Sequence, residues 1–179
     1  MSAAAQVHVR PRSDADLDEC ERIVRAVHAL DGYPPYMPND DFRGLLASPD
    51  AIGAYVAADG HGGRGAILGH AALHGRSSDA VIQLATAALG VPADGLGVVA
   101  RLFVAPTARR RGVARLLVDF TAREARRQGL TPILDVATSL PAAVALYDDA
   151  GWTRLGLIEV TFRDGSMHEE YVFAAPEAP

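Results

Sequence analysis

Apolar positions along the chain recur with two periods, and each period marks a different kind of element. Leu17, Cys20, Ile23, Val24, Val27 and Leu30 stand three or four residues apart, which is one face of a helix. Ser13 precedes them as a cap, and Asp14, Asp16, Asp18 and Glu19 fill the first turns, where acidic groups complement the helix dipole. The helix is predicted to stop before Gly32. The run Tyr33-Pro34-Pro35-Tyr36-Met37-Pro38 cannot continue it, and a second, short helix is predicted over 40–47. Residues 7–10, 52–58 and 66–73 read as strands. A third helix is predicted over 77–89, with Ala80, Val81, Leu84 and Ala88 on one face and Gly90 as its stop. Residues 96–104 are almost wholly apolar, the pattern of a central strand. A long amphipathic helix follows over 112–128, with Val113, Leu116, Leu117 and Phe120 as its buried stripe and Gly129 at its end. Then come a strand at 132–137, a helix capped by Ser139 and running to Ala150 before Gly151, and strands at 152–158 and 168–173.

One junction in this pattern carries chemistry. Val104-Ala105-Pro106-Thr107-Ala108-Arg109-Arg110-Arg111-Gly112-Val113-Ala114 joins the end of the central strand to the start of the long helix. A helix N-terminus has unpaired N–H groups and partial positive charge. Three arginines beside it oppose that dipole, a poor arrangement for stability alone. It makes sense if an anion sits there, cradled by backbone N–H groups and neutralised by guanidinium groups. Gly112 lets the backbone approach that anion, and Ala114 leaves room beside it.

This stretch resembles the acyl-CoA loop of the GCN5-related N-acetyltransferase (GNAT) superfamily, which reads Val-x-Pro and then Arg/Gln-x-x-Gly-x-Gly/Ala. Val104, Pro106, Arg109, Gly112 and Ala114 occupy those places. A second segment, Ala143-x-x-Leu146-Tyr147-x-x-x-Gly151-Trp152, is similar to the superfamily's Ala-x-x-Leu-Tyr-x-x-x-Gly-Phe. The element order also agrees, with one additional helix at 77–89. The resemblance spans 7–174. It implies a single α/β (α+β) domain with flexible ends at 1–6 and 175–179. Its central sheet is expected to be mixed and mostly antiparallel, with helices on both faces and a splay between the fourth and fifth strands.

The resemblance also implies a function: transfer of acetyl from acetyl-CoA, as cosubstrate, to a primary amine. The pantetheine arm is expected to pair with the backbone of Leu102, Phe103 and Val104, and the N–H near Leu102 to stabilise the oxyanion. The pyrophosphate is expected on Arg109, Arg110, Arg111, Gly112, Val113 and Ala114. Tyr147 is expected to return a proton to the departing thiolate. The position before the Tyr147 helix often holds asparagine in the superfamily and holds Leu140 here, so either Ser139 substitutes in contacting the arm or that contact is lost. Some members place a basic carboxylate on the fourth strand. Here that strand carries only Arg101, which leaves a water chain, His70, His74, Glu159 and Asp31 as candidates for the general base. The loop bearing Tyr33 and Tyr36, stiffened by prolines and flanked by Asp31, Asp40 and Asp41, is expected to hold a cationic acceptor through ring faces and carboxylates. A homodimer is expected by resemblance alone.

Composition narrows the alternatives. The 179 residues suit one sizeable core, and 49% hydrophobic content excludes a disordered chain. A net charge of −5 argues against a nucleic-acid partner, and no apolar run is long enough for a bilayer. All 17 basic residues are arginine, which fits a GC-rich bacterial genome and excludes a lysine-bearing phosphate loop. The single Cys20 excludes an internal disulfide. With a start that lacks the features of a signal peptide, it points to the cytoplasm. No zinc-ligand spacing is present, so no metal is expected. Gly60-His61-Gly62-Gly63-Arg64-Gly65 matches the dinucleotide fingerprint, but an apolar strand pattern follows where that fingerprint needs a helix. Three functions remain: a small-molecule N-acetyltransferase, a protein or peptide N-acetyltransferase, and a CoA-binding sensor without turnover.

Overall fold

The structure is a computed structural model that describes residues 6–177. Its strands are β1 (His8–Pro11), β2 (Ala51–Ala58), β3 (Ile67–His74), β4 (Leu96–Val104), β5 (Thr131–Ala137), β6 (Thr153–Thr161) and β7 (Met167–Ala174). Its helices are α1 (Leu17–Asp31), α2 (Phe42–Leu46), α3 (Asp79–Leu89), α4 (Val113–Arg127) and α5 (Pro141–Asp149). The sheet is mixed, in the order β1-β2-β3-β4-β5-β7-β6. β1 with β2, β5 with β7 and β7 with β6 are antiparallel. β4 and β5 are parallel, as the long helical crossover between them requires. Their register places Leu96, Gly97 and Val98 opposite Thr131, Pro132 and Ile133, whereas β4 itself runs on to Val104.

Several local expectations are corrected. α3 starts two residues later than the pattern suggests, at Asp79: Ser78 is its cap, and its Oγ accepts from the Val81 N–H at 3.4 Å. Ser139 does not cap α5. Leu140 is the N-cap residue and Pro141 opens the helix, removing one N–H that would otherwise need an acceptor. In α4, Leu116 is 44% exposed, and the buried face passes instead through Val113, Leu117, Val118 and Thr121. Phe120 packs its ring edge-on against Tyr55 at 5.1 Å. The glycine loop at 60–65 leads into β3, as the sheet pattern implies.

The chain forms two compact units. One takes in the chain through Ala72 together with Arg101–Thr121. Its core joins Cys20, Ile23 and Val24 of α1 to Phe42 and Leu46 of α2, Val56 of β2, Phe103 of β4 and Leu117 of α4. Gly69 sets the spacing: a Cβ there would meet the Phe103 carbonyl oxygen at 2.7 Å and Leu117 Cδ1 at 3.0 Å. Only glycine lets β3 lie this close to the end of β4. At the mouth of α1, Arg10 donates both Nη groups to Asp16 at 2.8 Å each, and Asp16 also accepts from the Ser13 N–H and Oγ.

The other unit takes Leu73–Ala100 and the chain from Ala122 onward. α3 buries Val81 and Ala85 on Leu96, Val98, Ile133, Val172 and Ala174. Tyr147 of α5 packs its ring against Phe173 at 5.7 Å and Trp152 at 5.9 Å. Past β7, the Ala175 N–H donates to the Pro132 carbonyl at 3.0 Å, and Arg126 donates to that of Pro176. The remaining residues of the expected flexible ends, 1–5 and 178–179, lie outside the described residues. No helix among the described residues is long and apolar enough to cross a membrane.

Candidate functional site

The loop between β4 and α4 has an irregular backbone with a clear shape. The Ala105 N–H donates to the Leu68 carbonyl at 2.8 Å, pinning the strand end to β3, and a single 3-10 turn follows over Pro106–Ala108. Arg109 is extended, Arg110 has φ +62° and Gly112 has φ +75°. Left-handed residues in a tight loop can aim neighbouring N–H groups at a common point, the form that an anion-binding concavity takes. The loop runs directly into the first turn of α4, which contains no acidic residue to occupy its donors. Nothing lies within 4 Å of the place a Gly112 Cβ would take, so that side of the loop is open. Arg109 is engaged by Asp31, the last residue of α1, through both carboxylate oxygens. Arg110 and Arg111 have no ion-pair partner among the described residues. The loop thus presents two uncommitted guanidinium groups, with a third already neutralised. Asp31, a candidate base, is spent in that pair.

The strand leading into the loop is irregular too. Arg101 sits in β4 with φ +54°, a left-handed conformation rare for a non-glycine residue. Its carbonyl oxygen lies 3.0 Å from His70 Nδ1, and His70 Nε2 lies 3.1 Å from Arg12 Nη1. A guanidinium only donates and a carbonyl only accepts. His70 Nε2 therefore accepts from Arg12, and His70 Nδ1–H donates to Arg101. The ring is fully buried and stacks on Phe103 at 5.1 Å and 15°. With its one basic nitrogen facing an arginine N–H, His70 is unsuited to take a substrate proton. His74 is also buried. Tyr33 and Met37 pack partly against the core beneath the Tyr-Pro loop.

In the second unit, a carboxylate pair that the sequence reading missed stands out. Asp135 of β5 faces Val172 in the register with β7, and Glu170 of β7 faces Ala137. The two acids are therefore diagonal neighbours on one face of the sheet. Ser77 Oγ donates to Asp135 Oδ1 at 3.3 Å, a contact open to it because Ser78 does the capping. Burial, then the charge of Asp135, then the hydrogen bond the protonated acid gives to Asp135 push the Glu170 carboxyl up to about 7. The available signal was Asp135 itself, an acid inside the otherwise apolar strand 132–137. Tyr147 is buried, Ser139 is exposed just before α5, and Glu159 is exposed on β6 opposite Glu169.

Comparison with known proteins identifies the architecture. The model of the Acetyltransferase (GNAT) family matches residues 17–152. The chain belongs to this family. NAA60 of Arabidopsis thaliana, solved in complex with acetyl-CoA, has a similar fold, with a TM-score of 0.71, 18% identity, and coverage of 94% of this chain and 97% of that one. A GCN5-related N-acetyltransferase from Kribbella flavida gives 0.67 and 21% identity over 96% and 98% of the two chains. The ribosomal-protein-S18-alanine N-acetyltransferase of Escherichia coli gives 0.64 and 16% identity over 96% and 94%. No curated protein matches by sequence.

The GNAT fold accounts for the seven-stranded mixed sheet and its parallel β4–β5 pair. The expected site residues divide between the units. The first contains Tyr33, Tyr36, Leu102, Phe103, Val104 and residues 109–114, and the second contains Ser139 and Tyr147 with Asp135 and Glu170.

Proposed function

We propose that the protein transfers an acetyl group from acetyl-CoA to a primary amine by direct attack in a ternary complex, with a small molecule as acceptor. The observation that carries this reading is the left-handed backbone at Arg110 and Gly112 opening onto the first turn of α4, beside two uncommitted arginines. That arrangement suits the pyrophosphate of a CoA ester. The pantetheine arm would run along the backbone of Leu102, Phe103 and Val104.

In the reaction, the amine nitrogen attacks the thioester carbonyl carbon, and the oxygen gathers negative charge on the Leu102 N–H. The C–S bond then breaks, and the thiolate takes a proton from the Tyr147 hydroxyl. The ammonium sheds two protons, one before it attacks and one from the adduct; the second restores the Tyr147 hydroxyl, and for the first our candidate acceptor is the Asp135–Glu170 pair. Two carboxyls sharing one proton suit this task, because one of them titrates near neutrality. Tyr33 and Tyr36, held in a proline-rich loop, offer ring faces to a cationic acceptor.

The test is acetyl-CoA-dependent thiol release against amino acids, polyamines, aminoglycosides, arylamines and short peptides. Turnover confined to small amines supports the proposal, and turnover confined to peptides replaces it with a protein or peptide N-acetyltransferase. Tight acetyl-CoA binding without any turnover favours a sensor, and absence of binding overturns the assignment of the loop.

A further inference from the structure

We propose that His70 is a positioning residue for the oxyanion donor on β4, acting through the Arg101–Leu102 peptide. This rests on the acetyl-transfer reading. Arg101 is costly as it stands. Its φ of +54° belongs to a region that side chains disfavour, and its Nε is buried with no hydrogen-bond partner among the described residues. A strained residue inside a strand persists only when its surroundings hold it, and here the holding groups are visible. His70 Nδ1–H donates to the Arg101 carbonyl at 3.0 Å. Arg12 fixes the tautomer from the other side, donating to His70 Nε2 at 3.1 Å and to the Leu46 carbonyl at 2.8 Å. Phe103 stacks on the ring and fixes its plane.

The Arg101–Leu102 peptide is trans, so its C=O and N–H point in opposite directions. By capturing the carbonyl of Arg101, His70 turns the N–H of Leu102 away from β3. A free strand edge would let that peptide rock, whereas the side-chain lock holds it at one angle. Donors that stabilise an oxyanion work because they are aimed before the charge forms. The Arg12–His70–Arg101 chain is a device that aims one of them. No residue of it touches the acyl group, and His70 exchanges no proton.

The test separates the two ring nitrogens. His70→Asn keeps a donor at the δ position toward Arg101 and gives up Arg12. His70→Gln keeps an acceptor at the ε position for Arg12 and gives up Arg101. Acetyl-CoA affinity by calorimetry, kcat at saturating amine and the thermal midpoint are measured on each full-length protein. His70→Gln is expected to lose about 10- to 100-fold in kcat with acetyl-CoA affinity within about twofold of wild type, because misaiming a donor costs part of its usual contribution. His70→Asn is expected to keep kcat within about threefold, as the retained δ donor still holds the carbonyl. Equal losses in both variants that track their thermal midpoints would overturn the proposal, since that is what plain destabilisation gives.

Should these buried-site variants not fold, nitrogen-15 spectra of histidine-labelled wild type decide the matter. A His70 ring protonated at Nδ1 and bare at Nε2 supports the lock, and the opposite tautomer overturns it. A wild type that neither binds acetyl-CoA nor releases thiol overturns the acetyl-transfer reading. A wild type that does both, with His70→Gln unchanged in kcat, overturns the lock alone.

Discussion

Tyr147 and Glu170 make separable demands on solution conditions. The Tyr147 ring is packed against Phe173 and Trp152, so Tyr147→Phe keeps the packing and removes only the hydroxyl. We expect kcat to fall by about 100-fold, within the usual range for loss of a general acid. Acetyl-CoA affinity should be unchanged by calorimetry, and an unaltered kcat would remove Tyr147 from the mechanism. Glu170 holds its proton to about pH 7 because burial and Asp135 disfavour its charge. From β6, the groups nearest its position are Ile158, directly opposite, and Val160, which pairs with His168. If the carboxylate pair accepts the ammonium proton, kcat/KM for the amine should rise through about pH 7. Glu170→Gln leaves Asp135 without an acidic neighbour, so that rise should leave the neutral range. The same profile in both proteins would show that the pair takes no proton during turnover. Cys20 lies outside this chemistry. Burial pushes its thiol up to about 12, which keeps it protonated and inert.

The β4–α4 loop depends on two kinds of contribution, backbone shape and side-chain charge, and they respond differently to salt. Gly112 has φ +75° and open space around it, so Gly112→Ala meets no steric clash and only the backbone penalty. A left-handed conformation costs an ordinary residue about 1–2 kcal/mol. Relaxing it would swing the N–H groups off the phosphate, so acetyl-CoA affinity should drop by about tenfold at any ionic strength. On the proposed reading, Arg110 and Arg111 contribute through charge. Replacing both with Ala should weaken binding most in dilute buffer, and the loss should shrink as salt rises, because exposed charges are screened beyond about 10 Å at 0.1 M. Calorimetry at two salt concentrations distinguishes these cases. A Gly112→Ala loss that disappeared in high salt would mean that backbone shape is not what binds. Arg109 should matter less for the ligand than its neighbours, being already paired with Asp31.

The molecule shows where sequence periodicity is sufficient and where it is not. The order of helices and strands, the β4–α4 loop with its glycine and the glycine stops follow from local patterns, because each depends on residues close in the chain. The Asp135–Glu170 pair and the Arg12–His70–Arg101 chain depend on strand register, which no local pattern specifies. For the same reason the sequence offered His70 as a base, and only its partners show that its basic nitrogen is occupied. One local cluster and one of these long-range pairs also set how the fold responds to pH. Asp16, held by hydrogen bonds from Arg10 and the Ser13 backbone and hydroxyl, has its carboxyl well below the usual range. Its unfolded form ionises near pH 3.9. The stabilisation is therefore complete above that value and is lost as pH falls below it, when the folded state must take up a proton. Glu170 has the opposite sign. Unfolded, it ionises near pH 4.3, whereas folded it stays protonated to about 7. Between those values folding binds a proton, so stability declines as pH rises through that window and levels off above it. Urea midpoints from pH 3 to pH 8 should thus rise to a maximum near pH 4–5 and then slope downward, provided these two groups dominate. Glu170→Gln should flatten the slope between pH 5 and 7 and leave the acid limb in place. Asp16→Asn should do the reverse, lowering the plateau by about 1.5–3 kcal/mol for the lost charged hydrogen bonds. A downward slope that survived Glu170→Gln would mean that Glu170 ionises in the folded protein as it does in the unfolded chain.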